Sequence, residues 1–209
     1  MKNLKTLDLI RDSFSKALDI YQKNWKLVVP VAIVYFVITD LPSLIKSQFG
    51  QNNPFYFLVG LIVVFLSIFM NIGLIHIGKK LYDGKKADVM ELFEYKQRFW
   101  SYLWLTIKAG VYILLGFIAL IVPGIILAIK YSFSAYLFVL KGMSVNESMD
   151  TSAKMVEGHK MKLFLYYIVM IFISALLGNI PIFGQLIAMP IILLMYMYVF
   201  LLFDKNYKK

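Results

Sequence analysis

Six apolar stretches constrain the fold of this 209-residue chain more than any other feature of its sequence. Most approach or exceed the ~20 residues that an α-helix needs to cross the hydrocarbon core of a bilayer. Some 60% of the residues are apolar and only 16% are charged, whereas soluble domains average about 25% charged residues. The sequence therefore predicts an all-α polytopic membrane protein. The predicted spans are residues 27–45, 55–78, 101–122, 125–140, 163–177 and 182–203.

Two short breaks pair the later spans into hairpins. Only Pro123 and Gly124 separate the third span from the fourth, and residues 178–181 separate the fifth from the sixth. A Pro-Gly pair favours a tight turn, since one helix of ~40 residues would be about twice as long as the hydrocarbon core is thick. We therefore expect a single membrane domain over residues 1–209, a bundle of six transmembrane helices in three hairpins. Its repeat-like units are at about 1–78, 79–140 and 141–209.

The basic residues are distributed asymmetrically over this arrangement. Nineteen of the 22 Lys and Arg residues lie in segments on one predicted side, and Lys46 alone lies in a segment on the other. Because basic loops stay in the cytoplasm, we expect a multi-pass protein of a prokaryotic cytoplasmic membrane with both termini inside. Topology then explains the net charge of +10. The expected partner is the lipid bilayer, anionic phospholipids included, and not nucleic acid.

Three tryptophans mark the cytoplasmic ends of the predicted spans. Trp25 precedes the first span, and Trp100 and Trp104 lie at the start of the third. Indole rings favour the boundary between headgroups and acyl chains. We interpret these residues as interfacial anchors.

An amphipathic segment precedes each predicted hairpin. In the second and third segments, Asp88 with Glu91 and Ser144 with Glu147 predict capping boxes at helix starts. We expect all three to be amphipathic helices in the headgroup layer, and packing on the cytoplasmic floor of the bundle is the alternative. In the first segment Leu9 and Ile20 lie off the apolar stripe, which comprises Leu7, Ile10, Phe14, Ala17, Leu18, Tyr21 and Trp25.

The central part of the chain resembles a known family. The likeness extends over about residues 73–166. It is carried by Asp83-Gly84-Lys85, Glu91-Leu92-Phe93, Pro123–Phe133, Ser144–Ser148 and Ala153–Lys162. They resemble the membrane domain of bacterial glycerophosphoryl diester phosphodiesterases and related small integral membrane proteins of unassigned function. The soluble domain that holds the family's phosphodiesterase activity has no counterpart here. The resemblance therefore implies a membrane module without catalysis. Lys141 stands where the family pattern leads us to expect an acidic residue.

Residue patterns for catalysis or cofactor binding are not evident in the sequence. The two histidines, His76 and His159, lie on different segments without an acidic partner at metal-ligand spacing, and there is no cysteine. Neither a phosphate-binding glycine loop nor a G-x-S-x-G motif occurs. We expect no enzymatic activity, no metal and no cofactor.

Polar residues within the predicted spans give the candidate site. Charged groups in hydrocarbon are costly and mark functional positions. Asp40 and Lys130 lie at similar predicted depths below the outer surface, so they are candidates for an ion pair. Snorkelling of Lys130 to the headgroups and a solvated cavity are the alternatives. Lys108 is expected to snorkel to the inner interface, and Asn71 to form a hydrogen bond between helices.

Small residues at four-residue spacing predict close helix approach. They are Ala128 with Ser132, Ser174 with Gly178, and Gly184 with Ala188. From these features we expect a non-enzymatic membrane module that organises lipids or partner proteins, with a second membrane protein or another copy of the chain as a candidate partner. The alternative is a transporter or channel for a small solute or lipid, with a polar route near Asp40 and Lys130.

Overall fold

A computed structural model describes the backbone of residues 5–49, 54–178 and 183–207, and the side chains of residues 5–39, 55–176 and 186–207. The described residues are 89% helical and contain no β-strand. Long apolar runs favour helices because a helix pairs its backbone polar groups within one segment. The α-helices are α1 (Thr6–Lys23), α2 (Trp25–Phe49), α3 (Pro54–Tyr82), α4 (Phe99–Ala119), α5 (Ile121–Tyr131), α6 (Ser134–Lys141), α7 (Val145–Met155), α8 (Lys160–Gly178) and α9 (Phe183–Tyr207).

Several helices have the length and composition of membrane spans. Four segments in the described part of the chain are long and apolar enough to cross a membrane, and a fifth follows if α7 and α8, bent by 100° at their junction, count together. The prediction of an all-α chain with apolar helices of spanning length is confirmed, while six spans in three hairpins stays a prediction. The four segments are Phe55–Tyr82, Val89–Ala119, Ile121–Lys141 and Leu186–Tyr207.

Helix α9 lies at the centre of the fold and contacts α1, α2, α3, α7 and α8. Five residues in its central part are almost inaccessible: Leu194 and Val199 are each 1% exposed, and Met195, Met197 and Phe200 are fully buried. The core thus forms where the other helices pack around the second half of α9.

The turn between α4 and α5 lies at Leu120, three residues before the predicted Pro123-Gly124 turn. Leu120 is extended (φ −168°, ψ 157°) and precedes the first residue of α5. Pro123 fits the first turn of a helix, whose N–H groups have no intrahelical partner. Gly124 is required there for contact, because a Cβ at this position would lie 2.4 Å from the Phe117 ring. Helices α4 and α5 thus pack against each other on either side of Leu120, and the predicted turn position at Pro123-Gly124 is wrong.

Helix α1 packs through a different face from the predicted stripe. Its buried residues are Leu9, Ser13, Ala17 and Ile20, and they face α8 and α9. The Tyr166 hydroxyl in α8 lies 3.3 Å from the Ser13 hydroxyl. Leu9 and Ile20 thus belong to the main contact, while most of the predicted stripe lies beside it. Of that stripe, Leu7 is 78% exposed, Phe14 37% and Trp25 54%.

The second predicted amphipathic helix is replaced by two short 3-10 turns, Val89–Phe93 and Lys96–Arg98. The first turn packs its backbone on α3 at Gly73, where a Cβ would lie only 2.5 Å from the Leu92 Cα. An α-helix with side chains on all sides could not bring its backbone this close to α3, whereas the short turn can. The predicted capping box of Asp88 and Glu91 is nevertheless present.

The third predicted amphipathic helix is α7, and its capping box of Ser144 and Glu147 is confirmed. Helix α7 lies against α4, α5 and α6 through a buried face, so it contacts the bundle along its length. Its buried residues are Ser148, Met149, Ser152 and Met155.

Arg98 fixes the end of α6 before α7 begins. Its guanidinium donates hydrogen bonds to the carbonyls of Phe138 (3.1 Å), Gly142 (3.2 Å) and Met143 (3.3 Å), and it lies 4.3 Å from the centre of the Phe138 ring. The last carbonyls of a helix have no intrahelical donor, so Arg98 supplies one. Gly142 ends the helix in the left-handed conformation (φ 70°).

Candidate functional site

The site begins at a break between α5 and α6, inside the predicted fourth span. Two backbone groups at the break bond a single side chain from another helix. The Ser152 hydroxyl in α7 donates to the Lys130 carbonyl at 2.7 Å and accepts from the Phe133 N–H at 3.1 Å. Buried backbone groups need such partners. The break is therefore stabilised by a tertiary contact rather than by Pro or Gly at that point.

Phe133, the residue after the break, is anchored in the core. It is fully buried, and its ring centre lies 5.3 Å from that of Phe203, 5.8 Å from Phe200 and 6.2 Å from Tyr196. These aromatic contacts hold the break against α9.

Three tyrosines from α6, α9 and α8 form a stacked column beside the break. Tyr136 and Tyr196 have ring centres 5.6 Å apart with planes 19° from parallel, and Tyr196 and Tyr167 have centres 5.4 Å apart at 10°. The Tyr167 hydroxyl is buried and lies near Ser132 and Tyr196, without a hydrogen bond of good geometry to any group in the described part of the chain. The column thus places an unsatisfied hydroxyl at the edge of α5.

A groove opens from this column between α5, α8 and α9. Its volume is about 600 Å³, within the range of small-molecule and cofactor sites. The groove is open on the side of Ile171, which is 69% exposed, whereas Met170 on its wall is only 6% exposed. The lining combines small and apolar side chains with four hydroxyl residues: Ala128, Ser132, Tyr167, Met170, Ile171, Ser174, Ala175, Ile192 and Tyr196.

A second, smaller cavity adjoins the groove. Its volume is about 200 Å³, and it shares Ser174 and Ile192 with the larger groove. Its remaining wall comes from α2 and α9. The two cavities together follow α8 and α9, with the remaining residues of the second being Ala32, Tyr35, Phe36, Thr39, Ala188 and Met189.

The predicted polar residues do not converge on this groove. Lys108 in α4 donates a hydrogen bond to the Asn146 side chain of α7. Asn71 donates to the Ser67 carbonyl of its own helix at 2.8 Å, and its side chain lies near the Tyr35 hydroxyl of α2. Lys130 is half-buried.

The Asp40 side chain lies outside the described residues, so its pairing with Lys130 stays a prediction. The three predicted anchors, Trp25, Trp100 and Trp104, are 54%, 73% and 59% exposed. Their rings are therefore accessible from outside the protein.

Both histidines lie away from the groove. The His76 ring stacks on Tyr95 with centres 3.7 Å apart, and its Nδ1 lies 3.0 Å from the Ile72 carbonyl. The His159 ring meets Phe203 edge to face. Within the described residues, no three His, Cys, Asp or Glu side chains are grouped so that they could hold a metal ion.

Sequence reasoning missed the tyrosine column and the groove. The signal was present in the small residues Ala128, Ser132 and Ser174, which we interpreted as sites of close helix approach. In the structure they line the groove. Small side chains leave space wherever the helices diverge, and spacing alone does not distinguish the two outcomes.

No model of a known protein family matches the chain, and comparison with curated proteins and with solved structures gave no match.

Proposed function

We propose that this protein is a non-enzymatic membrane module that binds phospholipid in the groove between α5, α8 and α9. One observation carries the proposal: the groove has a mostly apolar lining, with the hydroxyls of Ser132, Tyr167 and Tyr196 grouped together and Ser174 two turns further along α8. An acyl chain would lie along Met170, Ile171 and Ala175, with its ester group near Tyr167.

The chemistry of the lining supports this assignment. Ligand sites combine an apolar wall with a few polar groups that orient the ligand. The unsatisfied Tyr167 hydroxyl gains a partner if an ester oxygen accepts a hydrogen bond from it, which removes the cost of a buried, unpaired donor. The hydroxyls of Ser132 and Tyr196 lie at the same end of the groove.

The proposed location is the cytoplasmic membrane of a prokaryote, with both termini inside. The asymmetric distribution of Lys and Arg supports this orientation. Three hairpins, α2–α3, α4–α5 and α8–α9, would enter the membrane from the cytoplasmic side. The basic inner segments would favour anionic headgroups, and the likeness to the phosphodiesterase membrane domain agrees with a module that has no catalysis of its own.

Retention of lipid by the purified protein tests the proposal. The full chain is solubilised gently from membranes, and bound phospholipid is counted by native mass spectrometry. Ala128→Trp fills the groove, whereas Leu115→Trp places the same side chain at a 55% exposed position that does not line it. We expect the wild type and Leu115→Trp to retain phospholipid and Ala128→Trp to lose most of it. Equal retention by all three proteins, or none by the wild type, would refute the proposal.

A further inference from the structure

The α4–α5 hairpin ends in an apolar tip, residues 109–129. The sequence contains no charged residue between Lys108 and Lys130. Gly116 and Gly124 allow the two arms to touch, since a Cβ at Gly116 would lie 2.9 Å from the Gly124 Cα. The outward side chains of the tip are strongly exposed: Ile118 72%, Leu120 70%, Ile121 69% and Val122 65%.

Helix α7 crosses both arms of this hairpin at the base of the tip. On the α4 arm, Lys108 hydrogen-bonds Asn146. On the α5 arm, Ser152 bonds the Lys130 carbonyl at 2.7 Å. The crossing therefore fixes α7 at the same level on the hairpin as its two lysines.

The outer face of α7 is polar. Asn146, Glu147, Asp150 and Lys154 are all exposed, while the opposite face is buried against the bundle. Exposed carboxylate and ammonium groups are strongly disfavoured in hydrocarbon. Helix α7 therefore lies in the headgroup layer or in water. On the hairpin, the part within the hydrocarbon is then confined to the tip side of Lys108 and Lys130.

The tip beyond this boundary is too short to cross a bilayer. At 1.5 Å per residue, Lys108 to Ala119 measures about 17 Å and Ile121 to Lys130 about 14 Å. The hydrocarbon core is about 30 Å thick, so the tip matches one leaflet.

Two further features agree with a shallow position of the hairpin in the membrane. Lys160 at the start of α8 lines a cavity whose α5 residues run from Val122 to Ile129, the neighbour of Lys130, so a further basic residue lies beside the α5 arm. Trp100 and Trp104 are both exposed one turn apart on α4. Both indoles can lie in the interfacial layer if α4 enters it obliquely.

We propose that the α4–α5 hairpin enters one leaflet of the membrane from the cytoplasmic side and returns without crossing. Its partner is the acyl-chain region of that leaflet, and the Lys108–Lys130 level with α7 lies among the headgroups. A returning hairpin leaves both termini on the same side, so the distribution of basic residues is unchanged. The proposal concerns the depth of this hairpin and does not depend on lipid binding in the groove.

A depth profile from site-directed spin labels tests it. Single cysteines are introduced at the outward positions Val111, Ile118, Leu120, Val122 and Ile126 of the full chain, which has no native cysteine. The labelled proteins are reconstituted in phosphatidylcholine–phosphatidylglycerol vesicles. Collisions with oxygen, which partitions into the hydrocarbon, are compared with collisions with a water-soluble nickel chelate. Phe57 and Val64 of α3, 69% and 54% exposed, serve as reference positions on a spanning helix.

The expected profile has a single maximum of depth at Ile118 and Leu120, with Val111 and Ile126 shallower. A full crossing predicts the reverse, because Leu120 would lie at the opposite interface, shallower than Val111 and accessible to the nickel chelate. Nickel accessibility at all five positions would show that the hairpin is not inserted. Either of these results would overturn the proposal, whatever the outcome of the lipid-retention experiment.

Discussion

The Ser152 hydroxyl donates a 2.7 Å hydrogen bond to the Lys130 carbonyl and so joins α7 to the middle of the arm formed by α5 and α6. The same hydroxyl accepts a bond from the Phe133 N–H. One side chain thus holds the break beside which the tyrosine column and the groove lie. The fold of the site thus depends on α7 as well as on the long apolar helices.

Replacing this hydroxyl should destabilise the protein. Ser152→Ala removes the partner of two backbone groups, and we expect a loss of about 1–3 kcal/mol. Ser148→Ala is the matched control, because Ser148 is equally buried but donates only to the Val145 carbonyl of its own helix. Melting temperatures of both variants in detergent give the comparison. A Ser152→Ala protein as stable as Ser148→Ala would contradict the assigned role.

Gly73 should not tolerate a side chain. The Cβ of Gly73→Ala would lie 2.5 Å from the Leu92 Cα and 2.7 Å from the Glu91 carbonyl oxygen, so the 3-10 turn must move away from α3. Overpacking of this kind costs about 1–3 kcal/mol. Gly110→Ala is the control, because its Cβ meets no atom within 4 Å and Ala favours a helix by about 0.5–1 kcal/mol over Gly. We expect the melting temperature to fall for Gly73→Ala and to rise for Gly110→Ala. Equal shifts would show that the 3-10 turn does not pack closely on Gly73.

Arg98 should not be replaceable by lysine. Its three carbonyl contacts and its position over Phe138 use the planar, forked guanidinium. We expect Arg98→Lys to cost about 1–3 kcal/mol through unsatisfied carbonyls. Lys96→Arg makes the converse exchange at an exposed position and should be neutral. Unfolding in a denaturing detergent distinguishes the variants, and wild-type behaviour of Arg98→Lys would show that charge alone is sufficient.

The Lys141–Asp204 ion pair should couple α6 to the end of α9. The two groups lie 2.6 Å apart and are 24% and 17% exposed, so solvent screens them only in part. Loss of one partner leaves a charge in that environment, and we expect Lys141→Met and Asp204→Asn to be non-additive by about 0.5–3 kcal/mol. A double-mutant cycle on thermal stability measures this coupling. Strictly additive losses would mean that the pair contributes nothing.

Local features of the fold were predictable from the sequence. Each capping box needs only a cap residue and a Glu three positions later, and both Asp88 with Glu91 and Ser144 with Glu147 are present. The all-helical character follows from long apolar runs in the same way. Features that depend on one segment meeting another were not predictable.

Three such features show why. The break after Tyr131 depends on Ser152, 21 positions further along the chain, and no proline or glycine marks it. Helix α1 has two adjoining apolar faces, and only the shape of α8 and α9 decides that Leu9 and Ile20 lie in the contact. The turn lies at Leu120, and Pro123-Gly124 instead lies in the first turn of α5, where Gly124 packs against the Phe117 ring.

Photo-crosslinking with a phospholipid that carries a diazirine on its acyl chain tests the proposed lipid site most directly. The full chain is reconstituted in vesicles that contain the probe, irradiated, and the labelled residues are mapped by mass spectrometry. Met170 lines the groove and is only 6% exposed, whereas Leu114 on α4 is 59% exposed. If an acyl chain is held in the groove, Met170 is labelled more strongly than Leu114, and Ala128→Trp abolishes the labelling of Met170. Labelling that follows exposure alone, with Leu114 above Met170 and no effect of Ala128→Trp, would contradict the account.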